Sequence, residues 1–228
     1  KELTQEYKIA SSSKVKVIPL GFDLAAFQNN YTQNRKSVRE KYDIHKETIA
    51  IAIVGRITAI KDHHYFLDVI QELDQRINKK IKVFVVGDGD MKSEIEKRIA
   101  PMKTAGIDIS LTSWIFDIAE FNAGMDIMCL TSKNEGTPVS LIEAQASNLP
   151  VVSTDVGGVL DIVEQNETGF IIPRMNKSEF VSKLQVLIEN DEIRNKMKNK
   201  GWQNVYEKYS YQRLAKDMDA YYKELLNQ

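Results

Sequence analysis

The chain is poor in the residues that would commit it to several kinds of chemistry. Its 228 residues hold a single cysteine, Cys129, so no disulfide framework can form within it. That thiol sits inside an apolar run, where a small buried core residue is the default. Histidine is scarce too, with only His45, His63 and His64. The last two adjoin at a helix start, and neighbouring helix positions point in different directions, so they make a poor chelating pair and no metal is assigned. Neither sign of charge prevails: 31 basic residues face 32 acidic ones, leaving nothing to draw the chain to nucleic acid or to a strongly anionic partner. No apolar run is long enough to span a membrane, and the opening KELTQEYKIASSSK has no signal-peptide core, which reads as a cytoplasmic chain. An initiator Met, internal repeats and low-complexity linkers are missing as well.

What is present is alternation. With 43% hydrophobic and 28% charged residues, the composition suits one α/β domain, with or without an appendage. Residues 1–13 read as a helix tail and a loop, and residues 32–42 as a helix closed by a turn at Asp43. Apolar, β-rich runs at 49–54, 81–86, 107–111, 126–130, 150–154 and 169–172 then alternate with helical patterns at 62–77, 91–104, 118–123, 139–148 and 159–164. Six such strands with crossover helices predict an α/β fold, a Rossmann-like doubly wound parallel sheet that binds ligand at the strand carboxyl ends. Beyond Pro173 the chain reads as helical, at 178–189, 191–206 and 211–226.

The organising stretch is SKNEGTPVSLIEAQASN, residues 132–148, which follows the fourth strand and opens a helix. Gly136 gives backbone freedom for a close turn, Thr137 is the expected N-cap, and Pro138 fits the first turn, where its missing N–H costs nothing. The helix then starts near Val139, with the N–H groups of Val139, Ser140 and Leu141 free to meet an anion such as phosphate. Glu135 and Glu143 flank that point. Carboxylates accept hydrogen bonds from hydroxyls, so a diphosphate with sugar hydroxyls on both sides, a nucleotide sugar, would satisfy the arrangement. The plain alternative is a loop acid and a solvated helix acid placed by the helix dipole.

Glu135 and Glu143, with seven residues between them in EGTPVSLIE, resemble the E-x7-E motif of retaining glycosyltransferases of the GT-B fold, in the large group that includes many bacterial polysaccharide enzymes. The resemblance implies that Glu135 meets the transferred sugar, that the amides of Val139 and Ser140 hold the distal phosphate, and that Glu143 binds the ribose hydroxyls. GRITAIK, from Gly55 to Lys61, is similar to the family's G-R-x4-K, in which Arg56 and Lys61 would neutralise the diphosphate leaving group. Gly87-Asp88-Gly89 follows the second strand, but Lys92 stands where a dinucleotide fingerprint would have its third glycine. The family carries a G-x-G here that shapes the loop near the donor. Ser113-Trp114-Ile115-Phe116-Asp117 resembles the family's G-W-V-D-D turn, whose backbone at the position of Ile115 meets the nucleobase. Ser113 and Phe116 depart from that pattern. The serine is expected to stiffen the turn, and Trp114 to pack in the core. Gly157-Gly158 lets backbone approach the donor side of the cleft.

VKVIPLGFDLAAF, from Val15 to Phe27, resembles the segment that opens the second half of such enzymes, with Leu20 where the family usually has Asn. The resemblance thus implies the C-terminal half of a GT-B fold. Residues 1–14 would be the tail of a missing N-terminal domain or an interdomain linker, residues 15–206 the nucleotide-sugar-binding domain, and residues 207–228 a helix packing toward the missing domain. The implied activity is sugar transfer from a nucleotide diphosphate-sugar to an acceptor hydroxyl, in polysaccharide or glycolipid synthesis, with no cofactor and no metal. The acceptor sugar or lipid-linked sugar would be bound through the missing domain, and the full-length enzyme would sit peripherally at the inner face of the cell membrane. Two rivals remain at this stage: an NAD-type Rossmann oxidoreductase domain and a non-catalytic nucleotide-binding module.

Overall fold

The computed structural model describes residues 2–227. The chain falls into two units, one of Leu24–Tyr206 and one made of Lys1–Asp23 with Glu207–Gln228. The larger unit is built on six parallel strands: β1 (Ile49–Val54), β2 (Ile81–Val86), β3 (Ile109–Thr112), β4 (Ile127–Leu130), β5 (Val151–Thr154) and β6 (Gly169–Ile172). They lie in the order β3-β2-β1-β4-β5-β6. The direction of winding therefore reverses between β1 and β4, where Ile51, Ala52 and Ile53 pair with Ile127, Met128 and Cys129. A crevice at that reversal, outside the carboxyl ends of the strands, is where such sheets take ligands.

The central strands are apolar on both faces because both are covered. Ile49, Ile51 and Ile53 of β1 share one core with Val83, Val85, Ile127 and Cys129. Over this face lie α2 (His63–Asp74), α3 (Lys92–Thr104) and α7 (Lys177–Glu189), through Phe66, Ile70, Ile95, Ile99, Phe180 and Leu184. On the other face Phe84 of β2 meets Phe121 edge to face at 5.6 Å and Tyr42 at 5.3 Å. Phe121 belongs to α4 (Ile118–Gly124), which packs against α1 (Tyr31–Lys41). The two helices touch so closely that a Cβ on Gly124 would lie 2.3 Å from Val38. Below them Asp126, 5% exposed, receives Arg35 at 2.7 Å, Arg39 at 3.0 Å and the N–H of Ala50 at 2.9 Å. Burial works against its charge, but Arg35, the Ala50 amide and Arg39 together hold its carboxyl below the usual range.

The remaining helices of the larger unit are α5 (Val139–Ala146), α6 (Val159–Ile162) and most of α8 (Asp191–Tyr209). Asn204 of α8 donates to Gln145 of α5 at 2.9 Å, and Gly201 lies against the Gln145 backbone. In the smaller unit Phe22 and Tyr209 share a backbone bond at 2.8 Å, and Arg213 of α9 (Tyr211–Leu226) donates to the carbonyl of Pro19 at 2.9 Å. No residue of α9 is buried; Tyr211, Tyr222, Leu225 and Leu226 are exposed. Among the described residues no helix is long and apolar enough to cross a membrane.

Several boundaries differ from the sequence reading, each for a local reason. The third strand was expected from Ile107, but the chain first closes α3 through Gly106, at φ +100°, with the Ile107 N–H on Met102 O at 3.1 Å. Ile107 is apolar because it is a core residue of a loop, 6% exposed. The helix after β4 ends at Ala146 instead of Asn148, which is left-handed at φ +57°. Residues 2–6 form a single π-helical turn, where a helix tail was expected.

Candidate functional site

The first part of the loop after β1, which runs from Gly55 to Asp62, is held by backbone. Gly55 N–H donates to Val86 O at 3.0 Å, Ile57 N–H to Asp88 O at 2.9 Å, and Met91 N–H to Ile57 O at 3.1 Å. The turn after β2 is therefore its support. A Cβ on Gly87, at φ +144°, would lie 2.0 Å from Gly55 O, and one on Gly89 would lie 2.3 Å from Ile57 O. These two glycines serve backbone contact between two loops. Arg56 projects from this loop, exposed and without a partner among the described residues. Asp62 occupies the N-cap position of α2, left-handed at φ 49°, but makes no capping bond. Its carboxylate stands 3.6 Å from Lys133 instead. His63 follows, 2% exposed, with both ring nitrogens unpartnered among the described residues. Burial first, then the charge of Lys61, lowers its pKa to about 4, so it adds no positive charge to the loop near neutrality.

The loop after β4 is tied to the first one. Thr131 donates its hydroxyl to the carbonyls of Lys61 and Asp62, each at 3.1 Å, and Lys133 N–H donates to Ile60 O at 2.7 Å. Lys61 Nζ then meets Glu135 Oε1 at 2.6 Å, with side-chain exposures of 22% and 8%. Ser132 donates to the same oxygen at 2.5 Å, while its own carbonyl accepts from Thr154 at 2.8 Å. The motif resemblance assigned Lys61 to a phosphate and Glu135 to a sugar; the folded chain brings the two groups into one ion pair. Thr131 and Ser132, which fix this pair, escaped the sequence reading. Their only signal was two hydroxyl residues directly behind a strand.

Where glycine is needed also differs from expectation. Gly136 is not left-handed, and a Cβ there would meet nothing within 4 Å. The demand falls on its neighbours across the loop: a Cβ on Gly158 would lie 2.1 Å from Gly136 O. The N-cap of α5 is Pro138, not Thr137, which is exposed one residue earlier and makes no cap bond. Leu141 N–H is not free, because it closes a tight first turn on Pro138 O at 3.0 Å. Val139 and Ser140 keep amides with no hydrogen-bond partner among the described residues, at the mouth of the helix. One turn further in, Glu143 is half-buried with no side-chain partner among the described residues, and burial raises its pKa to about 7.

The loop after β3 lies beyond the β2 turn. Ile115 is half-buried, Phe116 wholly exposed, and Asp117 caps α4 by accepting from Glu120 N–H at 2.8 Å. Trp114 is 50% exposed, so it is not the core residue its type suggested. It borders a groove of about 360 Å³ with Tyr42 and Phe121, at the edge strand of the sheet. Among the described residues no group of three or more His, Cys, Asp or Glu could hold a metal ion.

Around the β1–β4 crevice the described residues thus gather the open Arg56, the paired Lys61, two helix amides and two carboxylates. Comparison with known proteins places the chain in a family. The staphylococcal capsular polysaccharide biosynthesis glycosyltransferase CapM is 26% identical over 225 residues, covering 96% of this chain and 58% of CapM. A Rickettsia africae glycosyltransferase superposes with a TM-score of 0.87 at 22% identity, over 99% of this chain and 60% of that one. Anabaena HepE, solved in complex with UDP, superposes with a TM-score of 0.84 at 16% identity, over 96% of this chain and 60% of HepE. This chain therefore spans under two thirds of the length of each. The family model described as glycosyl transferases group 1 matches residues 34–204, and the chain belongs to that family.

Proposed function

We propose that this chain is the donor-binding half of a retaining glycosyltransferase, acting on a nucleotide diphosphate-sugar and an acceptor hydroxyl in polysaccharide or glycolipid synthesis. The observation that carries the proposal is the Lys61–Glu135 pair at 2.6 Å, beside the open amides of Val139 and Ser140 at the point where the sheet reverses. A diphosphate has the charge to replace Glu135 as the partner of Lys61, with Arg56 and the helix mouth as its other contacts. Glu135 is then released toward the sugar hydroxyls on one side, and Glu143 serves the ribose on the other. Gly55, Gly87, Gly136, Thr137 and Pro138 shape the backbone around the donor, and Ile115 supplies backbone to the base. In this reading the departing charge is met by these side chains and amides, with no cofactor required. The complex of HepE with UDP supports a nucleoside diphosphate as the shared part of the ligand.

The test is a thermal-shift and calorimetry panel of UDP, GDP, ADP, their sugars and NADH, run with and without EDTA. At least one nucleoside diphosphate is expected to bind, to survive EDTA, and to be lost in the double variant Arg56→Glu with Lys61→Glu. Saturable binding of NADH alone would favour an oxidoreductase domain instead. In the same reading the 228-residue chain binds donor without transferring sugar, because acceptor groups belong to a second domain. Transfer at a rate matching a version extended by such a domain would count against that division.

A further inference from the structure

The residue that breaks the dinucleotide fingerprint, Lys92, makes a bridge that the sequence pattern does not foretell. Its ammonium donates to Asp88 Oδ2 at 2.8 Å and to Ser113 Oγ at 2.9 Å. Lys92 opens α3, Asp88 lies in the turn after β2, and Ser113 lies in the loop after β3. The bond to Lys92, followed by the Gly89 amide, holds the Asp88 carboxyl below its usual range, so Asp88 is a carboxylate near neutrality. Gly89 N–H reaches Asp88 Oδ1 at 2.8 Å, which leaves the carboxylate fixed at both oxygens.

What gives the bridge a consequence is the way its two ends are anchored. At one end, the β2 turn is pressed backbone to backbone against Gly55 and Ile57, the loop that carries Arg56. At the other end, residues 113–116 have little else to hold them. Among the described residues, and apart from the adjoining Thr112, the hydrogen bonds that reach this stretch from another element come from the Lys92–Asp88 pair, and both end on Ser113. Trp114 and Phe116 lie exposed, so packing does not fix the loop either.

We propose that Lys92 and Ser113 are positioning residues that set the distance between the base-binding loop and the phosphate-binding loop, and thereby the choice of nucleobase. This rests on the donor-site reading above. The Ile115 backbone can discriminate bases only if its N–H and C=O are held at a fixed offset from the cations that seat the diphosphate, and the path Gly55, Gly87–Gly89, Lys92, Ser113 supplies that offset. Ser113 thus has a role that a glycine at this place could not fill, since the bridge ends on its hydroxyl. Lys92 touches no reacting atom in this scheme; it acts through Ser113.

Calorimetry with UDP, GDP, ADP and inorganic pyrophosphate on the wild-type chain, Lys92→Met, Lys92→Arg and Ser113→Ala tests this. Lys92→Met and Ser113→Ala are each expected to weaken the preferred nucleoside diphosphate about three- to ten-fold, the range of a solvent-accessible charged hydrogen bond. The preference among the three bases should shrink by the same factor. Pyrophosphate affinity should stay within about two-fold, and Lys92→Arg should restore most of the preference. Equal losses for pyrophosphate and nucleoside diphosphate would make Lys92 a phosphate contact and overturn the proposal, as would an unchanged base preference in Lys92→Met. A wild-type chain that binds pyrophosphate and no nucleoside diphosphate would overturn the donor-site reading itself, a failure distinct from the other two.

Discussion

A methyl group placed on Gly157 would stand 1.7 Å from the carbonyl oxygen of Glu135. Gly157 is also left-handed, at φ +49°, so the position excludes a side chain twice over. The turn after β5 is in this way a mould for the loop that presents Glu135, and Gly158 N–H adds a bond to the same carbonyl at 3.3 Å.

Gly157→Ala is expected to cost at least about 2 kcal/mol of stability through strain and displaced backbone, and to lose nucleoside diphosphate binding with it. Gly136→Ala, one residue past Glu135, meets open space and should change stability by less than about 1 kcal/mol. Urea melts of the two variants check the contrast. Equal costs would show that the loop rebuilds around Gly157 freely.

The ion pair at 2.6 Å gives Glu135→Ala an unequal effect on two ligands. Removing the carboxylate frees Lys61, so a nucleoside diphosphate should bind at least as tightly as to the wild-type chain. The sugar-bearing donor should bind about ten-fold more weakly, for the loss of charge-assisted bonds to hydroxyls. Calorimetry with both ligands reads this directly; parallel losses would mean that Glu135 does not face the sugar.

Glu143 predicts a pH dependence with a definite sign. Its folded pKa, raised by burial to about 7, exceeds the ordinary 4.5, so the folded chain favours the neutral acid. Stability is undiminished below pH 4.5 and falls as pH rises through 7, by about 1–3 kcal/mol after allowance for partial exposure. Glu143→Gln should therefore match the wild type at about pH 4 and exceed it at about pH 8 in urea melts. Binding runs the other way. If the carboxylate accepts from ribose, wild-type affinity rises between about pH 6 and 8 with release of a proton, seen as a buffer-dependent binding enthalpy. The Glu143→Gln variant should lack that dependence, and a variant that kept it would place the titrating group elsewhere.

Much of this was legible before the structure. The strands announced themselves because two-faced burial leaves a run such as IAIAIV with no polar position, and β1 and β2 begin and end where the pattern does. The candidate site was open to reading because its parts fall at the ends of those runs. Misplaced features were those decided by tertiary context. Thr137 has the right chemistry for a cap, but the chain reaches helical geometry one residue later, with Pro138 at the boundary. Trp114 is large and apolar, yet the edge strand beside it leaves nothing to cover it. The Lys61–Glu135 contact joins positions 74 apart, which spacing alone cannot reveal.

The strand order has a mechanical consequence. Arg56 and Lys61 hang from β1 and the helix mouth from β4, and these strands meet along only three residue pairs, from Ile51–Ile127 to Ile53–Cys129. A bound diphosphate would lie across that seam as a staple, gripping two half-sheets that otherwise share a short ladder. Ligand-induced protection from hydrogen exchange should then concentrate in the amides of β1 and β4 and fade toward the outer strands, β3 and β6. The site would couple the two halves of the sheet as well as hold the ligand.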